Sequence, residues 1–186
     1  MAVTRRTVLS ASPAIAGPAA RPTRASGPRQ AVGLAAWLGL AFVAAGIGAV
    51  ASINAREFYA TLTQPPWAPP GSVFGPVWTV LYALMGISAW LVWRQHGVDR
   101  ARTALTLFVV QLAANALWSW LFFAWHLGAL AFVEVVVLWG LIVATVIAFR
   151  RLNTTAAVLL LPYLAWVTFA SLLTFTMWRL NPERLS

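Results

Sequence analysis

The sequence predicts an all-α membrane protein, a bundle of five transmembrane helices. Of its 186 residues, 61% are hydrophobic and only 9% are charged, whereas about a quarter of an average soluble domain is charged. Five mostly apolar stretches of about 20 residues, long enough to cross the hydrocarbon core as helices, follow one another along the chain. We place these helices at 31–52, 73–93, 103–124, 128–149 and 156–178.

The first thirty residues differ in composition from the helices that follow. They contain five arginines and no acid, and they are rich in Ala, Ser, Thr and Pro. This composition favours a disordered tail over 1–30, followed by a transmembrane domain over 31–182. The alternative interpretation is a targeting segment, since Arg5 and Arg6 begin a faint twin-arginine pattern.

The arginines indicate how the bundle is oriented. All 13 basic residues are arginines, and ten of them lie in the tail and in the second and fourth connections, on one side of the membrane. The excess of positive charge on cytoplasmic segments predicts that the N-terminus is inside the cell. Arginine without lysine suggests a GC-rich bacterial genome and hence the cytoplasmic membrane. The basic excess therefore indicates topology rather than nucleic-acid binding.

The longest connection, 53–72, follows the first helix. It contains Pro65, Pro66, Pro69 and Pro70, and proline this dense is incompatible with a helix. Irregular backbone cannot be exposed to lipid with its polar groups unpaired. The segment therefore predicts a lid over the mouth of the bundle, in which we expect Trp67 to close over a bound ligand.

Aromatic and polar side chains repeat along three of the helices at three- and four-residue steps. Such stripes mark the helix faces that point into a bundle. They predict an aromatic pocket for a flat, apolar ligand. The alternative is that these side chains only pack the helices together. For Trp78 and Trp166 the spacing does not decide between ligand binding and helix packing. The stripes are Phe74, Trp78, Tyr82 and Met85 in the second helix, Gln111, Asn115 and Trp118 in the third, and Trp166, Ala170 and Leu173 in the fifth.

Residues that could carry catalysis or bind a metal are scarce. The chain has no cysteine, and its two histidines, His96 and His126, lie in predicted loops, so we expect no thiolate chemistry and no metal site. Glu134 is the only acid within a predicted helix, where a charge costs about 2.5–3.5 kcal/mol. A functional role and a position near the membrane surface both remain open for it. These residues favour a binding protein that requires no cofactor.

Three blocks of sequence stand in a fixed order on this five-helix frame. Residues 66–70 (PWAPP) lead into 73–78 (VFGPVW), residues 111–115 read QLAAN, and residues 162–166 read PYLAW. Over about residues 31–182 the chain resembles the TspO/translocator family, also called tryptophan-rich sensory proteins or peripheral-type benzodiazepine receptors.

The resemblance implies a five-helix bundle, often dimeric, whose pocket beneath the first loop binds protoporphyrin IX, haem or related tetrapyrroles. It implies a sensor or regulator of tetrapyrroles. The alternatives are a light-dependent breakdown of porphyrin and a carrier for small apolar metabolites. Pocket positions carry over to Phe74, Tyr82, Asn115, Ala170 and Leu173, and the photochemical tryptophans to Trp78 and Trp166.

The resemblance does not extend to sterol binding, which animal members show. Their recognition segment has a tyrosine between an aliphatic and a basic residue, whereas here Phe175 and Thr176 lie between Leu173 and Arg179. That motif is weak even when complete. The partners we expect are therefore a tetrapyrrole, the lipid bilayer and a second copy of the chain, with sterol not favoured.

Overall fold

The structure is a computed structural model that describes residues 27–186. The predicted tail lies outside the described residues as far as residue 26, and residues 27–30 already belong to the first helix. The part of the chain that is described contains helices and their connections, with no strand.

Five segments are long and apolar enough to cross a membrane, which confirms the predicted fold class. The fifth of these spans consists of two helices, and a short extra helix lies in the first connection. The helices are α1 (Gly27–Ala51), α2 (Ala55–Thr61), α3 (Phe74–Arg100), α4 (Arg102–Ser119), α5 (Gly128–Leu152), α6 (Thr154–Leu159) and α7 (Leu161–Leu180).

The prediction of a wholly irregular lid was wrong, because α2 forms in the part of the connection that precedes the first proline. The proline-rich run 65–70 is not helical, and a 3-10 turn over Gly71–Val73 leads into α3. The second span was also predicted too short. It continues to Arg100 through a bend at Gly97, whose φ of 68° and ψ of 179° suit only a residue without a Cβ.

The fifth span is broken near its start rather than continuous from residue 156. Pro162 lies in the first turn of α7, where its missing N–H costs nothing, whereas further inside a helix it would remove a hydrogen bond. The preceding helix, α6, begins where the Asn153 side chain accepts a hydrogen bond from the backbone N–H of Ala156 at 2.8 Å.

The helices form a closed ring whose order differs from their order in the chain. Helix α1 packs against α3 and α4, α5 packs against α4 and α7, and α6 closes the ring against α3. The backbones of α3 and α7 lie further apart, and large side chains meet between them, such as Trp78 with Tyr163. At the lid end, the side chain of Phe74 on α3 still packs against Trp166 on α7.

Helices α1 and α3 pack closely from the middle of the bundle towards the end away from the lid. A Cβ on Gly86 would lie 2.9 Å from the Cα of Leu38, and one on Gly33 would overlap the ring of Trp93. Glycine at these two positions lets the backbones approach, as small residues do in membrane helix pairs. Towards the lid the same two helices leave space between them.

We predict that Gly86→Ala destabilises the protein, because the added methyl group meets the backbone of Leu38. Overpacking of this kind costs on the order of 1–3 kcal/mol, against a gain of about 1 kcal/mol in helix propensity. Thermal unfolding in detergent should show a lower Tm. Gly140→Ala is the matched control, since a Cβ there meets no atom within 4 Å. Equal Tm values for the two variants would contradict the close packing of α1 on α3.

Candidate functional site

A cavity of about 600 Å³ lies between α1, α3 and α4, beneath α2. Its volume is within the range of about 300–1,000 Å³ that is usual for small-molecule sites. We call it the main cavity. It is lined by Phe42, Ala45, Gly46, Gly48, Ala49, Ser52, Ala55, Arg56, Tyr59, Gly71, Phe74, Gly75, Trp78, Thr79, Tyr82, Asn115, Trp118, Ser119 and Phe123.

One wall of the main cavity is aromatic. Phe74, Trp78 and Tyr82 follow one another at four-residue steps on α3, and the ring centroids of Trp78 and Tyr82 are 5.7 Å apart. Trp118 on α4 adds a further ring, which stacks on Phe122 with an angle of 11° between the ring planes. Together these rings offer flat apolar surfaces to a ligand.

The opposite wall, from α1, consists of four small residues, Ala45, Gly46, Gly48 and Ala49, and one aromatic residue, Phe42. A Cβ on Gly46 would meet no atom within 4 Å. A larger side chain at this position would therefore occupy part of the cavity. Sequence reasoning did not find this wall. The first helix does have a run of Ala and Gly near its lid end. Such a run is equally typical of helices that pack closely together, so it did not by itself indicate a cavity wall.

The main cavity opens to the side, between α1 and α3. Gly46, Gly75 and Thr79 line it and are exposed. Both helices span the membrane, so the opening faces the lipid.

The floor of the main cavity is a chain of buried hydrogen bonds. The Tyr82 hydroxyl donates to Asn115 Oδ1 at 2.5 Å, and Asn115 Nδ2 donates to the Tyr163 hydroxyl at 2.9 Å. The Tyr163 hydroxyl donates in turn to Gln111 Oε1 at 2.8 Å. The chain ends where Gln111 Nε2 approaches the sulfur of Met85 at 3.9 Å.

This chain joins α3, α4 and α7 at side chains that are all buried. A buried polar group without a partner is costly, and here each side-chain amide finds its partners on the neighbouring helices. Tyr163 was missed as a site residue, because a single tyrosine beside Pro162 has no periodic pattern. Gln111 lies behind Asn115 and does not line the main cavity.

Five of the residues predicted to contact a ligand meet at the main cavity: Phe74, Trp78, Tyr82, Asn115 and Trp118. The first three lie on α3 and the other two on α4. The structure therefore brings together the predicted stripes of the second and third spans.

The other four predicted residues do not line the main cavity. Trp166 packs edge-on against Phe74, with the ring centroids 5.9 Å apart, and Trp67 packs against Phe169 at 5.9 Å. Ala170 and Leu173 are buried in the bundle. Contact of these four residues with a ligand remains a prediction.

Hydrogen bonds attach the lid to the segment after α7 at one point and join its two parts to each other at another. Asn181, beyond α7, accepts from the backbone N–H of Thr63 at 2.7 Å and donates to its carbonyl oxygen at 3.0 Å. The Tyr59 hydroxyl donates to the carbonyl oxygen of Pro69 at 3.2 Å. Burial raises the pKa of Tyr59, so this hydroxyl keeps its proton. These bonds hold α2 and the proline-rich run over the main cavity.

A second cleft, of about 710 Å³, lies at the lid end of the bundle and is lined by Glu57, His126 and Arg184 among others. It is larger, but its lining includes both signs of charge and none of the residues of the aromatic wall. Within residues 27–186 no group of three His, Cys, Asp or Glu side chains could hold a metal ion. The main cavity is therefore the better candidate for an apolar ligand.

Comparison with known proteins agrees with the resemblance seen in the sequence. The sequence profile of the TspO/MBR family matches residues 35–179. The tryptophan-rich protein TspO of Chlorobaculum tepidum is 42% identical over 132 residues, which cover 69% of this chain and 82% of that protein. The translocator protein of Ovis aries is 40% identical over 132 residues, 70% of this chain and 78% of that one.

A relative matched over a greater length is the tryptophan-rich sensory protein of Cereibacter sphaeroides. It is 42% identical over 149 residues, 78% of this chain and 92% of that protein. The region matched by the family profile includes every residue that lines the main cavity.

We predict that Tyr163→Phe destabilises the protein more than Tyr59→Phe does. The first change leaves both Asn115 Nδ2 and Gln111 Oε1 without a partner inside the bundle, at a cost on the order of 1–2 kcal/mol. The second removes one longer and partly buried bond. Tm in detergent measures the difference. A Tyr163→Phe variant as stable as the wild type would show that the buried chain does not hold the three helices together.

Proposed function

Because the chain belongs to the TspO/MBR family of membrane proteins, we propose that it is a membrane receptor that binds a tetrapyrrole in the main cavity. The observation that carries this proposal is the pairing of an aromatic wall on α3 and α4 with a wall of small residues on α1. A flat, apolar ring system fits between such walls, since one supplies ring faces and the other supplies space. As sensor or regulator, the receptor responds to occupancy of this cavity.

The residues at the cavity favour protoporphyrin IX over haem. Haem iron takes an axial ligand from His, Cys, Met or Tyr, and among the described lining residues only Tyr59 and Tyr82 are of these types. The Tyr59 hydroxyl donates to Pro69 and that of Tyr82 to Asn115. A metal-free porphyrin needs no axial ligand and is held by its faces and edges alone.

The membrane that fits the chain is a bacterial cytoplasmic membrane, with the start of α1 on the cytoplasmic side. Within residues 27–186, six arginines lie at the end of the bundle where α1 begins, and three lie at the lid end. Cytoplasmic ends carry the larger positive charge. The first group is Arg29, Arg94, Arg100, Arg102, Arg150 and Arg151, and the second is Arg56, Arg179 and Arg184.

Filling the mouth of the main cavity should weaken binding of the porphyrin without disturbing the fold. Gly46→Leu places a side chain at the opening, where a Cβ meets no other atom. We expect its affinity for protoporphyrin IX to fall at least about tenfold, or 1.4 kcal/mol. Quenching of tryptophan fluorescence during titration of the detergent-purified protein measures the affinity.

Gly39→Leu is the matched control, because Gly39 lies on the same helix, is exposed and is also free of close neighbours, but does not line the cavity. It should bind like the wild type. Unchanged binding by Gly46→Leu would place the porphyrin elsewhere, and no saturable binding by the wild type would refute the tetrapyrrole assignment.

A light-dependent activity is the second candidate, favoured by the position of Trp78 in the cavity wall. An indole beside an excited porphyrin can donate an electron to it, with dioxygen as the final oxidant. Illumination of the complex in air should then consume the porphyrin, and Trp78→Phe should slow this loss severalfold. Trp166→Phe should slow it less, because Trp166 contacts Phe74 but does not line the cavity. The porphyrin absorbance spectrum follows the reaction, and loss no faster than that of free porphyrin in detergent would exclude the activity.

A further inference from the structure

Arg56 is the one charged residue among the described residues that line the main cavity. It lies in the first turn of α2 and is exposed. The walls below it are aromatic or small and the floor is polar but uncharged, so a single positive charge stands at the upper edge of an otherwise neutral site.

The charge of Arg56 is not neutralised within the part of the chain that the structure describes. Arg56 forms no ion pair there, and the acid beside it in sequence, Glu57, lines the second cleft instead. An arginine without a carboxylate partner keeps all its N–H donors for another acceptor.

Four of the five hydroxyl groups that line the cavity already donate hydrogen bonds within residues 27–186, whereas the Ser119 hydroxyl and the Trp118 Nε1–H do not. Ser52 donates to the carbonyl oxygen of Gly48 at 2.8 Å, and Thr79 donates to that of Gly75 at 2.9 Å. The Tyr59 and Tyr82 hydroxyls donate to Pro69 and Asn115, as described above. Of the donors that remain, those of Arg56 are the ones that carry a positive charge and can pair with both oxygens of a carboxylate.

We propose that Arg56 selects ligands that carry a carboxylate at one edge of an apolar ring system. The guanidinium group binds a carboxylate through two parallel hydrogen bonds, while the ring lies between the walls below. This inference rests on the proposed function, since it specifies which edge of the porphyrin is recognised: the one that bears the two propionates. An α2 position suits this role because it lies outside the spanning helices, where the carboxylate stays near water.

Two porphyrins that differ only in charge test the proposal: protoporphyrin IX and its dimethyl ester. We expect Arg56→Gln to weaken binding of the free acid about tenfold or more and to leave binding of the ester within about twofold of the wild type. Arg56→Lys should recover part of the loss, because it restores the charge but not the paired hydrogen bonds. Circular dichroism and Tm show that each variant is folded.

Arg184→Gln is the matched control, since Arg184 is at the same end of the bundle but lines the second cleft. It should leave both affinities unchanged. The inference is overturned if Arg56→Gln binds the free acid like the wild type, if it weakens acid and ester equally, or if Arg184→Gln has the same effect. Failure of the wild type to bind either porphyrin would instead refute the proposed function itself, so the two failures are distinguishable.

Discussion

The site depends on the buried hydrogen bonds that run from Tyr82 through Asn115 and Tyr163 to Gln111. Lipid tails are as apolar as the side chains between helices, so the hydrophobic effect alone does little to hold membrane helices in one arrangement. Polar groups that must pair with one another do so in few arrangements. This chain therefore fixes how α3 and α4 face each other, and with them the two residues, Tyr82 and Asn115, that form the floor of the main cavity.

The cavity itself arises from a contrast between two ends of one helix pair. From the middle of the bundle towards the end away from the lid, Gly33 and Gly86 let α1 and α3 approach until side chain and backbone touch. At the lid end the small residues of α1 face large rings on α3, and nothing closes the space between them. The same residue types thus produce tight packing at one end and a void at the other, depending on what lies opposite.

The sequence predicted the five spans and the aromatic wall, because both depend on short-range patterns: a run of apolar residues and rings repeated every four residues along α3. It did not predict that Trp166, Ala170 and Leu173 lie away from the cavity, although they repeat at a similar spacing. Periodicity shows which face of a helix is buried, but not which helix covers that face. Since α7 packs mainly on α5 rather than on α3, its stripe lies outside the void.

The sideways opening makes the bilayer the solvent from which a ligand arrives. A ligand that partitions into the membrane would approach the gap between α1 and α3 by diffusion in a plane, and its relevant concentration would be its mole ratio to lipid. The fraction of occupied sites would then depend on the amount of ligand per lipid. Adding ligand-free membrane would lower it, just as adding water lowers the occupancy of a soluble receptor. A binding site with such an opening samples the hydrophobic phase rather than the aqueous one.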